Sequence, residues 1–471
     1  MTERTIAIVV LVVAILLAVA GAAAYLVLVT PTSHAPPPVV SGVAGCPMSP
    51  GNESSGNWTT YHEDNARDGV AVEPNITGAS ARWAAPTTLD GQVYAEPLVC
   101  GDSVYVVTEK NSVYAINASS GEIRWQTTLG SPVPGSTLPC GDINPSGITG
   151  TPVIDAATGT LYAVAFLDSS PPVHMLFGLN VGNGSVESRV VVDPAGSIPT
   201  NQQQRGALAL ANGYVYVPFG GLAGDCAQYH GWVVGAPTSG SSNLIAYQVP
   251  TQREGAIWAP GGPAVASDGD LFVSTGNGAS STTFDHGDSV IELSPGLVEL
   301  GFFAPTNWAE LNAHDTDLGS VTPTILPNGD LFQIGKAGVG YLLSGSDLGG
   351  IGGQIYNATV CTGGAYGSTA RVGDSILVPC TDGLFDLAAG ASSFSVAWHT
   401  SPFDAGAPII TGSVAWVVDI SNAHLLGFNL TTGQPVDSFA LGSVDPFLSP
   451  AASPGSVYVA GGNELYAFSL S

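Results

Sequence analysis

The stretch AEPLVCGDSVYVVTEKNSVYAINASSGEIRWQTTLG, residues 95–130, contains four short β-strand patterns in succession. Residues 98–100 are apolar, and residues 103–108 alternate around Val104 and Val106. Residues 113–117 follow a turn, and residues 123–127 come after a Ser-Ser-Gly turn. Runs of this length joined by tight turns predict one four-stranded antiparallel sheet.

The beginning of this unit recurs seven times downstream. The comparable starts are GTPVID at 150, GALALA at 206, GGPAVA at 261, SVTPTI at 320, GSTARV at 367, GAPIIT at 406 and SPAASP at 449. A second strand pattern follows each one, at 161–166, 214–218, 271–275, 331–334, 376–379, 415–419 and 457–460. A four-stranded unit repeated at roughly 40–60 residues is typical of a propeller, in which each blade needs neighbours to bury its faces. The sequence therefore predicts an all-β fold, an eight-bladed β-propeller with four-stranded antiparallel blades.

The ends of the repeat array predict how the ring closes. The last unit reaches Ser471 after three strand patterns, and the segment SARWAAPTTL at 80–89 has no blade of its own. We expect residues 80–89 to supply the missing outer strand of the last blade.

The composition is rich in Gly (61) and Pro (34) and poor in bases, with 10 Lys plus Arg against 37 Asp plus Glu. A formal charge of -27 repels phosphate backbones, so we expect no nucleic-acid partner. With only 10 Lys plus Arg and 8 His, the chain also acquires little positive charge when its carboxylates are protonated. This balance suggests an acidic external medium, although many extracellular proteins are simply acidic.

An uncharged apolar run at 6–29, IAIVVLVVAILLAVAGAAAYLVLV, is long enough to span a bilayer as a helix. Arg4 precedes it and no further Lys or Arg occurs before Arg67, so residues 1–5 are expected in the cytoplasm. A cleaved signal peptide is the alternative. Residues 30–57 are expected to form a Pro-, Gly- and Ser-rich extracytoplasmic linker, and residues 58–471 the propeller. The localisation predicted is therefore the cell membrane, with a single pass and the propeller outside.

Six cysteines in an exported chain predict up to three disulfides, for which fifteen pairings are possible. The pairings we favour are Cys361 with Cys380, Cys140 with Cys226, and Cys46 with Cys100. Asn-x-Ser/Thr sequences occur at Asn52, Asn57, Asn75, Asn117, Asn183, Asn357 and Asn429, which predicts an N-glycosylated surface protein.

Three motifs resemble those of one known family. AINASSGEIRW at 115–125 is similar to the A-x-D-x-x-T-G-x-x-x-W docking motif of pyrroloquinoline-quinone-repeat propellers, also described as quinoprotein alcohol dehydrogenase-like, with Asn117 and Ser120 as departures. WTTYHEDNARDG at 58–69 and IWAPGGPAVASDGDLFVSTGNG at 257–278 also resemble segments of that family. The resemblance implies that the Trp packs between blades against a Gly-containing turn.

The resemblance also implies what a catalytic member would need. Dehydrogenases of the family hold the quinone beneath a ring made by two adjacent cysteines, coordinate calcium with Glu, Asn and Asp, and use an Asp base. This chain has no adjacent Cys pair and no cytochrome motif. We therefore predict no cofactor, with pyrroloquinoline quinone and calcium as the alternative.

Loops that lead into the innermost strands of a propeller meet at one mouth of its channel, where ligands commonly bind. The polar or aromatic residues just before predicted inner strands are Glu96, Arg205, Arg253, Glu254, Trp258, His314, Asp315 and Asp317. They would form a funnel that holds a small-molecule ligand or the polar tail of a partner. The structural alternatives are that Asp317 caps a turn, Arg205 pairs with an acid and Trp258 only packs.

Metal and nucleophile signals are weak. His314-x-x-Asp317 lacks a third ligand of suitable spacing, and residues 285–288, Asp-His-Gly-Asp, are typical of an exposed turn. No GxSxG sequence occurs, so we assign no catalytic residue and no metal ligand.

Three functions remain in competition at this point. The first is a membrane-anchored extracytoplasmic binding or scaffold module that contacts an envelope protein, similar to the propeller lipoprotein that assists outer-membrane assembly in bacteria. The second is an extracytoplasmic quinone-dependent dehydrogenase, or another enzyme, that uses the channel mouth. The third is a structural envelope component without a specific ligand.

Overall fold

The computed structural model describes Cys46, residues 56–73 and residues 76–471. The predicted cytoplasmic end, the apolar span 6–29 and most of the linker 30–57 lie outside these residues. Among the described residues, no helix is both long and apolar enough to cross a membrane. The membrane segment therefore stays a prediction.

Within the described residues, eight antiparallel sheets follow one another along the chain, and we number them as blades 1 to 8 in that order. The strands of each blade are given from the innermost outward. Blade 1 contains Leu98–Cys100, Ser103–Val107, Ser112–Asn117 and Ile123–Thr128; blade 2 contains Val153–Asp155, Thr160–Leu167, Val173–Asn180 and Val186–Val191; blade 3 contains Ala209–Ala211, Tyr214–Gly221, Trp232–Pro237 and Ile245–Gln248; blade 4 contains Ala264–Val265, Leu271–Ser274, Val290–Leu293 and Glu299–Ala304. Blade 5 contains Thr324–Ile325, Leu331–Gln333, Val339–Leu343 and Tyr356–Thr359; blade 6 contains Ala370–Val372, Ser375–Cys380, Gly383–Ala389 and Phe394–His399; blade 7 contains Ile409–Thr411, Val414–Asp419, His424–Asn429 and Pro435–Ala440; blade 8 contains Ala451–Ser453, Ser456–Gly461 and Glu464–Leu470. The predicted eight-bladed all-β fold is confirmed.

Short accessory elements join these sheets. Gln202–Gln203 pairs with blade 3, Gly350–Ile351 lies parallel to the outer strand of blade 4, and Val70–Ala71 lies parallel to the inner strand of blade 7. The described residues also include one short helix, Trp308–Ala313, and three 3-10 turns, Gly135–Thr137, Pro199–Asn201 and Leu318–Ser320.

Hydrogen bonds at the inner strands join neighbouring blades. Leu208 N donates to Thr151 O at 2.9 Å between blades 3 and 2, and Ala407 N donates to Leu448 O at 3.1 Å between blades 7 and 8. The inner strand of blade 8 also lies against that of blade 1. The blades therefore close into a ring.

The outer strand of blade 8 comes from the N-terminal side of the array. Ala79–Ala81 pairs with the last strand of blade 8, with Ala79 opposite Leu470, and Thr87–Thr88 pairs with the same strand, with Thr87 opposite Leu465. The expected role of residues 80–89 is confirmed, because this segment joins the two ends of the chain's repeat array within one sheet.

Tryptophans fill the wedges between blades, as the docking motif implies. Trp125 of blade 1 donates from Nε1 to Val181 O of blade 2 at 3.0 Å, and its ring covers Gly184. Gly184 has φ +70°, and a Cβ there would lie 2.5 Å from the Trp125 ring, so the turn requires glycine. Trp83 and Trp398 dock in the same way on the turns of blades 1 and 7.

The segment 58–71, which we call the plug, crosses the centre of the ring. The plug forms hydrogen bonds with the inner strands, or residues next to them, of blades 1, 2, 3, 4, 6, 7 and 8. The bonded pairs are Trp58 with Val99, Thr59 with Ile154, Asn65 with Leu210 and Val265, Asp68 with Arg371, Gly69 with Ile410, and His62 with Ser449. The plug side chains Trp58, Tyr61, His62 and Arg67 are all at most 2% exposed. The plug therefore closes the channel beneath the mouth.

Three disulfides are present, Cys46–Cys100, Cys140–Cys226 and Cys361–Cys380, which are the pairings we favoured. The first ties the chain before the plug to the inner strand of blade 1. The second joins two loops at the channel mouth.

Candidate functional site

A cavity of ≈ 340 Å³ occupies the mouth at which the chain enters the inner strands. The lining residues that precede inner strands are Tyr94, Asp142, Gln203, Arg205, Trp258, Asp315, Asp317, Tyr366 and Phe447. The lining residues at or just after the ends of second strands are Gly221–Asp225, Asn277 and Lys336. Loops from seven blades therefore share one polar and aromatic cavity at the mouth.

One wall of the cavity is built around Asp317, which is 4% exposed. Its Oδ2 accepts Trp258 Nε1 at 3.0 Å and lies 3.0 Å from Lys336 Nζ, while its Oδ1 accepts Asn277 N at 3.1 Å. Burial raises the pKa of Asp317, and Lys336 opposes that rise. Lys336 also pairs with Asp315 at 2.8 Å. This wall is thus an internally satisfied ion-pair cluster.

A second part of the lining is built around Arg205, which is 9% exposed. Its guanidinium carbon lies 5.8 Å from the centre of the Tyr94 ring and 5.6 Å from that of Phe447. Phe447 has φ +67°, a conformation that bulky residues rarely adopt, and stacks on Tyr366 with the ring centres 5.5 Å apart. Two aromatic rings therefore lie within cation–π distance of the Arg205 guanidinium and restrict its orientation.

Two buried acids lie near Arg205. Glu109 is 1% exposed, its Oε2 accepts Gly147 N at 2.5 Å, and its Oε1 has no partner among the described residues. Burial raises the pKa of Glu109 to about 7 and that of Asp445 to about 6. These carboxyl groups thus exchange protons near neutral pH.

Glu96 was expected at the mouth, but it lies beneath the cavity against the plug and is 2% exposed. Its Oε1 accepts Trp58 Nε1 and His62 N. Burial raises the pKa of Glu96 to about 8 and lowers that of His62 to about 3. The expectation was wrong because residues 58–69 fill the space that Glu96 would otherwise face.

Ser449, His62 and Glu96 do not form a catalytic triad. His62 Nε2 lies 3.0 Å from Ser449 Oγ and 3.8 Å from Glu96 Oε2, so the hydroxyl and the carboxylate face the same ring nitrogen. A triad needs the carboxylate on the other nitrogen. All three side chains are also buried.

Three further residues expected in the funnel do not line the cavity. Arg253 pairs with Glu254 and donates from Nη1 to Asp225 O at 3.0 Å, so Arg253 stabilises the loop that carries the cavity residue Asp225. His314 is exposed, with Nδ1 2.9 Å from Glu310 O at the end of the short helix.

Arg205, Trp258, Asp315 and Asp317 are the expected residues that the structure brings together. The prediction missed Tyr94, Tyr366 and Phe447, although each lies just before the start of an inner strand. An aromatic residue at such a position is equally typical of a side chain that packs in the core. It also missed Asp142, Asp225, Asn277, Gln203 and Lys336. Lys336 is one of only two lysines in the chain, and that rarity was a usable signal.

The cavity does not provide the calcium and quinone ligands that the resemblance implies. Asp225, Asn277 and Asp317 line it, but both oxygens of Asp317 already bind protein donors. The one grouping of possible metal ligands within the described chain is Cys361, Cys380 and Asp382, and its two sulfurs form a disulfide. We therefore derive no step through calcium or the quinone.

The second weak metal signal, residues 285–288, also lies away from this cavity. His286 Nδ1 is 3.5 Å from Glu299 Oε1, and its ring stacks on Phe284.

Comparisons with known proteins agree with this architecture. A family model described as outer membrane protein assembly factor BamB matches residues 67–292. No curated protein matches the chain significantly. Among solved structures, a quinohemoprotein alcohol dehydrogenase from Pseudomonas putida HK5 has a TM-score of 0.69 at 13% identity, covering 88% of this chain and 80% of its own.

Two further solved structures are similar to this chain. A quinohemoprotein alcohol dehydrogenase from Comamonas testosteroni has a TM-score of 0.68 at 15% identity, covering 88% of this chain and 81% of its own. BamB from Moraxella catarrhalis has a TM-score of 0.55 at 14% identity, covering 83% of this chain and 97% of its own. The chain therefore has the eight-bladed fold of the pyrroloquinoline-quinone-repeat β-propellers, and residues 67–292 match a family model of that type.

Proposed function

We propose that this protein is a membrane-anchored, extracytoplasmic binding or scaffold module whose ligand or partner occupies the cavity at the inner-strand mouth. The observation that carries this proposal is the cavity itself. Seven blades contribute to it, and it combines aromatic rings with charged side chains of both signs. Concave sites of this composition are the default binding sites of globular proteins.

The state of the charged groups favours binding over catalysis. Asp317 accepts from Trp258, Asn277 and Lys336, so most of its roughly four lone-pair sites are already used and it is a poorer base than a free carboxylate. Among the described residues, the buried Ser449 and His62 lie below the cavity, where a substrate in the cavity would not reach them.

The expected place in the cell supports an envelope partner. The apolar span at 6–29 and the Pro-rich linker would tether the propeller to the outer face of the membrane. The family model is described as an outer membrane protein assembly factor. A tethered ring with one open mouth is suited to holding an envelope protein.

The test is capture of partners from solubilised membranes by the full-length chain. Wild type is compared with Arg205→Ala and Trp258→Ala, each of which removes one large side chain from the lining of the cavity. Arg189→Ala, on the exposed outer strand of blade 2, is the matched control. We expect both cavity variants to lose a partner that wild type and the control retain. Equal capture by all four proteins would refute a role for the cavity.

Incubation with pyrroloquinoline quinone and calcium tests the enzymatic alternative. After gel filtration, we expect no quinone absorbance to remain with the protein. A chromophore retained in stoichiometric amount by wild type and lost in Trp258→Ala would overturn the binding-only proposal.

A further inference from the structure

Arg205 is a buried cation with unused hydrogen-bonding capacity. A guanidinium has five N–H donors, and within the described residues Arg205 makes one hydrogen bond, from Nη2 to Pro446 O at 3.3 Å. No carboxylate of the described chain lies within ion-pair distance of it. Its side chain nevertheless lines the cavity. The remaining donors are therefore available to a ligand.

The rings around Arg205 fix how those donors are presented. Tyr94 and Phe447 cover the guanidinium, which leaves its donor edge for hydrogen bonds. A planar fork held in this way matches a carboxylate, which can accept two parallel hydrogen bonds. Phe447 and the stacked Tyr366 would border an apolar body attached to that carboxylate.

The surroundings of Arg205 are acidic. Tyr61 of the plug, Tyr94 before blade 1, Glu109 in blade 1 and Asp142 before blade 2 all act on it electrostatically. Asp445 before blade 8 also interacts with it. Because the carboxylates among these groups lie at longer range than an ion pair, their charged forms lower the potential at Arg205 without occupying its donors.

We propose that Arg205 binds a carboxylate group of the ligand and that the cavity holds this ligand more tightly in acidic than in neutral solution. The inference rests on the proposed binding function and names the chemistry of the ligand. A carboxylate fits better than a cation, because the protein's own Arg205 and Lys336 already lie over the Phe447, Tyr94 and Trp258 rings.

Protonation of the neighbouring acids gives the expected pH dependence. Burial raises the pKa of Glu109 to about 7 and that of Asp445 to about 6, so both lose their charge as the pH falls from 7.5 to 5. Burial also raises the pKa values of Tyr61 and Tyr94, which stay neutral throughout. Arg205 remains charged, and a free carboxylate with a pKa of about 4 stays ionised at pH 5. Repulsion of the ligand by Glu109 and Asp445 therefore decreases.

The experiment measures binding of benzoate and of its neutral analogue benzamide to the full-length protein by calorimetry at pH 5.0 and 7.5. We expect benzoate to bind about tenfold more tightly at pH 5.0, which corresponds to about 1.4 kcal/mol of repulsion removed. We expect benzamide not to bind. A peptide ending in phenylalanine, with a free or an amidated C-terminus, tests whether a protein tail supplies the same group. Preference for inorganic phosphate over both carboxylates would contradict the inference.

Variants test each residue. Arg205→Gln is expected to abolish benzoate binding, Arg205→Lys to weaken it, and Arg189→Gln to leave it unchanged. The double variant Glu109→Gln with Asp445→Asn is expected to bind benzoate at pH 7.5 as tightly as wild type does at pH 5.0. Melting curves confirm that each variant is folded. If Arg205→Gln shows no cooperative melting transition, the affinity of the double variant for benzoate at pH 7.5 is the deciding test of the inference.

Two results would overturn the inference. One is equal benzoate affinity at both pH values in wild type, and the other is a folded Arg205→Gln variant that still binds benzoate. Partner capture that depends on Trp258 but not on Arg205 would refute the carboxylate inference alone. Capture that depends on neither residue would refute the proposed function as well.

Discussion

The buried acids around the plug predict that this propeller is more stable in mildly acidic than in neutral solution. Glu96 and Glu109 are fully buried, and burial raises their pKa values from 4.5 to about 8 and about 7. A carboxyl group whose pKa is raised on folding stabilises the folded state below its unfolded pKa, and this contribution is lost as the pH rises through the folded value.

His62 acts in the opposite direction. Burial lowers its pKa from 6.5 to about 3, so its contribution is present above pH 6.5 and is lost as the pH falls toward 3. As the pH falls from 7 to 4.5, each glutamate gains stability for the folded state over about 2.5 pH units, whereas His62 loses stability over about 2 pH units. The difference is about 3 pH units. At about 1.4 kcal/mol per pH unit, the folded state is about 4 kcal/mol more stable at pH 4.5 than at pH 7. Asp68 and Asp445, whose pKa values burial raises to about 6, act in the same direction as the glutamates.

Urea unfolding of the full-length chain, followed by tryptophan fluorescence at pH 4.5 and pH 7, measures this difference. Glu96→Gln keeps the oxygen that accepts from Trp58 and His62 but does not titrate, so it should stabilise the protein by about 3 kcal/mol at pH 7 and by little at pH 4.5. Glu310→Gln, on the exposed side of the short helix, is the control. A free energy of unfolding that is higher at pH 7 than at pH 4.5 would refute the reasoning. The direction agrees with the acidic medium that the scarcity of bases suggests.

The remaining predictions concern closure of the ring and its surface. Trp83→Ala should destabilise the fold by about 3 kcal/mol in urea unfolding, because it empties the wedge where the closing segment docks on blade 1, and a wild-type midpoint would argue against that closure. Replacing Cys46 and Cys100 by serine opens a loop of sequence separation 54 and should cost about 4 kcal/mol in the same assay, whereas no change would show that the plug holds without this disulfide. Peptide mapping of protein from a glycosylating host should find glycan on the exposed Asn357 and not on Asn57, which is 9% exposed and accepts Gly101 N, and modification of Asn57 would contradict the packing described.

Sequence reasoning located the mouth because its rule depends only on chain order. Arg205, Trp258 and Asp317 lie in the loops that lead into inner strands, and the inner strands of a ring all begin at the same end. Glu96 satisfies the same rule, yet it lies below the cavity, because the plug from elsewhere in the chain occupies the adjacent space. Phe447 was missed because its position in the cavity lining depends on a positive φ that no local sequence pattern predicts.

By itself, the amino-acid sequence determined the architecture of this protein. Strand periodicity, turn glycines and the recurrence of one unit act within a few residues of each other, and the incomplete last unit required a closing strand from the N-terminal side. Only the tertiary structure decided which polar groups pair, which stay free and which are buried. The segment at 58–71 crosses the ring and contacts side chains up to 387 residues away in the chain, and the free edge of Arg205 results from such long-range neighbours. Their effects depend on distance and burial in space, which sequence spacing does not encode.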